Sequence, residues 1–258
     1  MGGYASGPVG LAAARLKIPL AIHEQNAVPG TANRWLSRWA QRIFLSFPDE
    51  GKYFPPDRAL WTGNPIRAEF FQAPAAPRPG LPFTVMIMGG SQGAHTLNMS
   101  TLAALPLLKD LRPRLHFLHL TGEADYEKVD AGYHEADFSG EVAPFTPEVA
   151  AWMGRAHLLV CRAGASTLAE LTALGRAAIL VPYPFAANNH QEVNARFLEK
   201  AGAGEVVLNK EFTGQFLAAK IRELAGAPEL LAQMEAASRS LAKPDAAKDI
   251  VQGCLELI

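Results

Sequence analysis

The chain has 258 residues, 49% of them hydrophobic and 19% charged, and a formal net charge of −1. That length fits two modest α/β domains or one large one, and the near-neutral balance argues against a nucleic-acid partner, which needs a basic face or stripe. Cys161 and Cys254 supply no disulfide framework, pointing to a reducing, cytoplasmic setting, and no apolar run reaches the roughly 18–20 residues of a membrane span.

In chain order, Met1 to Pro8 reads as a strand-to-helix glycine turn with no strand ahead of it, so a segment upstream is expected. Gly10 to Lys17 is predicted helical, and Pro19 to His23 a short buried strand that runs into the polar loop Glu24-Gln25-Asn26. Thr31 to Gln41 is predicted as a helix and Arg42 to Ser46 as a strand. Ala73 to Pro82 is rich in proline, which restricts the backbone without donating hydrogen bonds, and reads as a semi-rigid linker. The pattern then restarts: strand Phe83 to Met88, helix Ala94 to Leu108, strand His116 to Thr121, short strand Glu141 to Phe145, helix Val149 to Arg155, strand His157 to Cys161. A helix follows from Thr167 to Leu174 with Gly175 as its cap, then strand Ala178 to Pro182 and helix Gln191 to Ala201 closed by Gly202. Pro228 to Leu241 and Ala246 to Leu257 complete the helices.

Strands alternating with helices predict a parallel α/β architecture. Residues 1–72 read as part of one domain, 73–82 as the linker and 83–240 as a second domain. A terminal helix over 241–258 is expected to return to the first. Leu16 to Ile22 with the following Asn33-Arg34 echoes Leu174 to Leu180 with Asn194-Ala195-Arg196. Two related domains would produce that echo, and so would chance similarity between βα units.

Gly89-Gly90-Ser91-Gln92-Gly93 lies between a strand and a helix. Glycines allow a tight turn in which amide N–H groups and the positive helix end face an anion, with the Ser91 hydroxyl as a further donor. The spacing matches neither the Lys-bearing P-loop nor the dinucleotide fingerprint, and a plain βα turn is the alternative. Arg162 to Glu170 forms a second turn of this kind. Thr167 and Glu170 have the spacing of a capping box, in which Glu170 would bond its own helix start. The other reading has its carboxylate accept two ribose hydroxyls, and both stand at this level.

His23-Glu24-Gln25-Asn26 follows a strand's carboxyl end, where ligands sit in open α/β sheets. Neighbouring residues in extended chain point apart, so His23 and Glu24 are not expected to share a metal. No Asp-x-Asp occurs, which removes the usual cation site for a sugar diphosphate. Arg67, in Thr62-Gly63-Asn64-Pro65-Ile66-Arg67, is either a solvated cation or a hinge residue reaching a diphosphate. The amides of Asn188-Asn189-His190-Gln191 suit sugar hydroxyls, or a helix start. Arg34, Arg38 and Arg42 recur beside Trp35 and Trp39; a half-buried helix with a charged outer face is favoured over a membrane-surface helix.

Together these segments resemble the MurG family of UDP-N-acetylglucosamine transferases, glycosyltransferase family 28. The matching pieces are G-G-Y-A-S-G-P (Gly2 to Pro8), H-E-Q-N (His23 to Asn26), T-G-N-P-I-R (Thr62 to Arg67), G-G-S-Q-G-A (Gly89 to Ala94), C-R-A-G-A-S-T-L-A-E (Cys161 to Glu170) and H-Q-x-x-N-A (His190 to Ala195). The resemblance implies a GT-B fold, two Rossmann-like domains facing across a cleft, the amino-terminal one incomplete. It implies inverting transfer of N-acetylglucosamine from UDP to the 4-hydroxyl of the muramoyl sugar of lipid I, giving lipid II.

By the same resemblance, Asn26, Arg67, Ser91, Thr146, Gln191 and the run Ala165, Ser166, Thr167, Leu168, Ala169 and Glu170 bind the UDP-sugar, which tips Glu170 towards ribose. Gly89, Gly90, Ser91, Gln92 and Gly93 form the phosphate loop. No cofactor or metal is expected. The implied partners are UDP-N-acetylglucosamine, lipid I and, peripherally, the cytoplasmic face of the bacterial inner membrane. The family's opening strand and G-G-T-G-G-H loop have no counterpart here, so no catalytic base is assigned; His23 is the one tempting candidate. The alternatives are a donor-binding module without transferase activity, or another UDP-sugar transferase or epimerase of the same fold.

Overall fold

The computed structural model describes residues 5–72, 82–90 and 93–258. The stretch read as a linker falls almost wholly outside these, as do Ser91 and Gln92. Two parallel sheets organise the rest. The first holds β1 (Ala21–Glu24), β2 (Arg42–Leu45) and β3 (Ala59–Trp61) in that order, with α1 (Ser6–Arg15), α2 (Thr31–Leu36) and α3 (Glu69–Gln72) around the strand sequence. The second holds β4 (Phe83–Met88), β5 (Leu115–Leu120), β6 (Gly140–Ala143), β7 (Leu158–Cys161), β8 (Ala177–Leu180) and β9 (Gly204–Val206).

The second sheet runs β6-β5-β4-β7-β8-β9, the 3-2-1-4-5-6 order of doubly wound dinucleotide-binding folds. Alternate strand residues face opposite sides, so each strand feeds two cores. Val85, Ile87, Phe117 and Val160 pack beneath α4 (His95–Ala104), α5 (Tyr126–Ala136) and α9 (Gly214–Gly226). Met86, Met88, Leu118 and Leu159 pack beneath α6 (Val149–Arg155), α7 (Ala165–Leu174) and α8 (His190–Lys200). Burial on both faces explains why these strands read as unbroken apolar runs. The first sheet has a smaller core of its own: Ile22, Leu36, Ala40, Ile43, Leu45 and Phe54.

The two sheets are joined by side chains as well as by chain. Phe47 and Phe70 are buried in the core under α6 to α8. Phe47 meets Phe197 edge-on at 5.4 Å. After α10 (Pro228–Ser240), α11 (Ala246–Leu255) lies against the first sheet: a Cβ on Gly253 would fall 2.8 Å from the Phe44 ring.

Several boundaries differ from expectation for identifiable reasons. The first helix begins at Ser6, because Pro8 is compatible with a first helical turn, where its missing N–H has no partner to lose. The second stops at Leu36, five residues early, and the chain then turns to bury Ala40 completely. The helix from Ala94 gives way after Ala104 to a 3-10 segment, Leu105–Arg114, in which Pro106 cannot donate. β3, α3, α5, β9 and α9 were not anticipated. β3 and β9 are three residues each, too short to show a period, whereas α5 and α9 are full amphipathic helices hidden by many charged and alanine positions.

Candidate functional site

The strand order reverses between β4 and β7, whose ends are in register at Met88 and Cys161. In open parallel sheets the crevice at such a switch point takes the ligand. The two glycine-containing turns leave the sheet there, one after Met88 and one after Cys161. Gly93 has φ +76°, and a Cβ on it would lie 1.9 Å from the Thr121 carbonyl oxygen; no other residue fits. Gly90 is also left-handed, at φ +89°, but open space surrounds it. No side chain caps the α4 terminus that follows.

The second turn corrects the capping-box reading. Gly164 is the N-cap of α7, and Thr167 and Glu170 lie within the helix. Glu170 is therefore not at the helix start, and no donor among the described residues reaches its carboxylate. Burial pushes its pKa up from 4.5 to about 7, opposed by the nearby Arg67 and reinforced by Glu69. Arg67 itself pairs with Glu69 at 3.0 Å and lies over the Phe70 ring, with 59% of its side chain still exposed to solvent.

The first sheet delivers its loop to the same turn. Asn194, fully buried on α8, donates to Asn26 Oδ1 (3.1 Å) and the Ala163 carbonyl (3.3 Å) and accepts from Ala27 N–H (2.9 Å). Gln191 Oε1 accepts from Ala163 N–H (3.2 Å) and Tyr183 N–H (3.0 Å), fixing the turn from the same helix face. Asn64 Nδ2 reaches Ser166 Oγ at 3.5 Å, and its Oδ1 is buried without a partner. Asn26, Ser166, Gln191 and the α7 start thus converge. Thr146 does not join them by any described contact; its hydroxyl accepts from Glu148 N–H at 3.1 Å, a local turn bond ahead of α6.

Within the polar tetrad the roles divide. Glu24 is buried and accepts from Asn26 N–H, Gly30 N–H and Asn33 Nδ2, which makes it the scaffold of the loop. The His23 ring lies 3.3 Å from both the Gly63 carbonyl and the Ser46 hydroxyl, and burial lowers its pKa against the pull of the Gly63 bond. In the amide-rich loop, Asn188 and Asn189 are left-handed, at φ +52° and +54°, and Asn189 bonds Glu192 at 2.6 Å to start α8. Asn194 and Asn64 carry no functional role that the sequence alone assigns. The signal for Asn194 was its position three residues after Gln191, which places both on one helical face.

A profile of the glycosyltransferase family 28 C-terminal domain matches residues 84–250, and that of its N-terminal domain matches residues 1–45. The chain is 47% identical over its whole length to the UDP-N-acetylglucosamine–N-acetylmuramyl-(pentapeptide) pyrophosphoryl-undecaprenol N-acetylglucosamine transferase of Syntrophus aciditrophicus, covering 72% of that protein. The chain belongs to the MurG family.

MurG relatives from other bacteria agree. The protein of the same name from Geobacter sulfurreducens is 44% identical, over 97% of this chain and 70% of its own length. The crystal structure of Acinetobacter baumannii MurG superposes with a TM-score of 0.84 at 35% identity, over 98% of this chain and 72% of that one. Neisseria meningitidis UDP-GlcNAc 2-epimerase, solved with UDP-GlcNAc, superposes with a TM-score of 0.67 at 16% identity, a likeness of fold alone. The chain is thus a glycosyltransferase of the GT-B fold and spans about 70% of the length of these MurG relatives.

Proposed function

We propose that the switch-point crevice holds UDP-N-acetylglucosamine and that the chain's site transfers N-acetylglucosamine to a muramoyl acceptor on an undecaprenyl pyrophosphate carrier. The observation that carries this reading is Glu170: a half-buried carboxylate one turn into α7, at the switch point, with no donor of its own among the described residues. Two ribose hydroxyls supply what it lacks, and ionised carboxylates accept such bonds strongly. The glycine turn after β4 faces the diphosphate with backbone N–H groups, and Arg67 approaches from the first sheet. In this reading Asn26, Thr146, Ala165 to Ala169 and Gln191 complete the donor wall.

In the transfer, the acceptor hydroxyl attacks the anomeric carbon while the carbon–oxygen bond to UDP breaks. The electron pair moves to the β-phosphate oxygen, the hydroxyl's proton passes to water, UDP departs and the configuration inverts. Donors placed at that developing charge lower the barrier by amounts that, per group, correspond to about 10²–10³ in rate. An open pocket of about 730 Å³ between the β1–α2 loop (His23, Asn26, Thr31, Trp35) and Ala187 and Asn188 gives the acceptor sugar a place beside the donor. No helix among the described residues is long and apolar enough to cross a membrane. Half-exposed Trp35 and Trp39, with Arg34 and Arg38, suit peripheral contact with the anionic cytoplasmic face.

Calorimetric titration with UDP-N-acetylglucosamine tests the donor half. Wild-type protein binds, and Glu170→Ala binds about tenfold more weakly or worse, the cost of two lost charge-assisted bonds. Equal affinity in the two proteins refutes the assignment of Glu170.

A further inference from the structure

Beneath the glycine turn lies a chain of buried polar groups to which the transfer chemistry assigns no part. Asn98, on α4, and His119, at the end of β5, are wholly buried. Asn98 Nδ2 stands 2.9 Å from the Thr121 carbonyl and 2.8 Å from Asp125 Oδ2, so both its hydrogens are taken. Its Oδ1 can only accept, and lies 2.9 Å from His119 Nε2, which therefore carries the ring proton. His119 Nδ1 is then an acceptor for the Tyr133 hydroxyl at 3.2 Å. Burial holds the His119 pKa down to about 3, so the ring stays neutral and the donor order is fixed. The chain runs in one direction, from Tyr133 through His119 and Asn98 to the Thr121 carbonyl.

That carbonyl is the surface on which the glycine turn rests, for it is the atom a Cβ on Gly93 would strike. Asp125, the second acceptor of Asn98, also bonds His95 Nδ1 at 2.9 Å, at the first residue of α4. The start of α4 and the loop after β5 are thus clamped together on either side of the turn.

We infer that His119 is a positioning residue for the diphosphate: through Asn98 it fixes the Thr121 carbonyl and, against it, Gly93 and the start of α4, without touching substrate itself. The inference rests on the donor-site reading above, in which that turn faces the diphosphate. A buried polar chain that is fully satisfied specifies one geometry, and a small displacement of anion donors weakens what they bind.

The test is a set of NMR titrations of the full chain with uridine, UMP and UDP. In wild type, affinity rises from uridine to UDP. In His119→Leu, uridine affinity is retained while UDP affinity falls about tenfold, and His119→Gln, whose amide can donate to Asn98 Oδ1, recovers most of it. Tyr133→Phe, which keeps the ring in place and removes only its hydroxyl, shifts UDP affinity in the same direction by about threefold and serves if His119→Leu does not fold. If wild type binds uridine and UDP equally, the diphosphate reading fails and this inference with it. If wild type prefers UDP but the variants lose uridine and UDP equally, or lose neither, the donor site stands and the positioning role of His119 is overturned.

Discussion

Glu170 shows how an environment turns one carboxyl into a pH-dependent group. Its folded pKa is about 7 against 4.5 ordinarily, chiefly because burial disfavours the charged form. Between those values the folded chain holds a proton that the unfolded chain has released. The resulting stabilisation is complete below about 4.5 and is lost as pH rises through about 7. Ligand-free Glu170→Gln should therefore gain thermal stability relative to wild type as pH rises from about 5 to about 8. A constant difference across that range would show that the carboxyl is not shifted. Binding should run the other way, since ribose hydroxyls favour the ionised form: wild-type affinity for UDP strengthens as pH rises through this window. Arg67→Ala, by removing the main opposing charge, should move the midpoint higher.

At the scale of the element, the turn after β4 depends on backbone conformation as well as on the side chains that brace it. Gly90 and Gly93 share a left-handed backbone, yet only Gly93 abuts another atom of the main chain. Gly90→Ala should cost only the unfavourable conformation, on the order of 1 kcal/mol. Gly93→Ala must also displace the loop after β5, so it should cost at least about twice as much and remove UDP binding. Urea denaturation of the two variants compares them directly, and equal losses would show that the contact with Thr121 is soft. The same scale explains the misread capping box. Thr167 and Glu170 have its spacing, but the helix begins at Ala165, two residues before the predicted start, and its N-cap is Gly164, with extended backbone at φ −66° and ψ 143°. The motif was present without the position that gives it meaning.

Across the whole molecule, stability is unevenly spread. The six-stranded sheet is buried on both faces, whereas the three-stranded sheet owns only a small cluster around Ile43 and borrows the rest from Phe47, Phe70 and α11. Local opening follows the amount of buried apolar contact. Amides of β1 to β3 should exchange faster than those of β4, β5, β7 and β8 in hydrogen-exchange mass spectrometry, and equal protection would contradict this account. Asn194 is a fully buried polar link between the two parts. Asn194→Ala leaves Ala27 N–H and Asn26 Oδ1 unpaired, a loss of about 1–3 kcal/mol, and should speed exchange through residues 24–33 further while leaving β4 and β5 unchanged.

The alternation of apolar strands and helices, the two glycine turns and the order of the polar loops were legible in the chain itself, because each depends on local spacing and on residues whose backbone freedom or polarity is unusual. From them the α/β class and the GT-B resemblance could be read in one dimension. Tertiary structure decided what depends on distance between segments far apart in the chain. The strand order put Met88 beside Cys161 and so made one crevice from two turns. Packing of α8 turned Asn194, a residue with no motif role, into the link between Asn26 and Ala163. The pairing of β4 with β5 and the packing of α4 brought His119 and Asn98 together beneath the turn after β4. Desolvation of Glu170 belongs to the same class: a carboxyl's charge is set by how much water its neighbours exclude, and sequence spacing carries no measure of that.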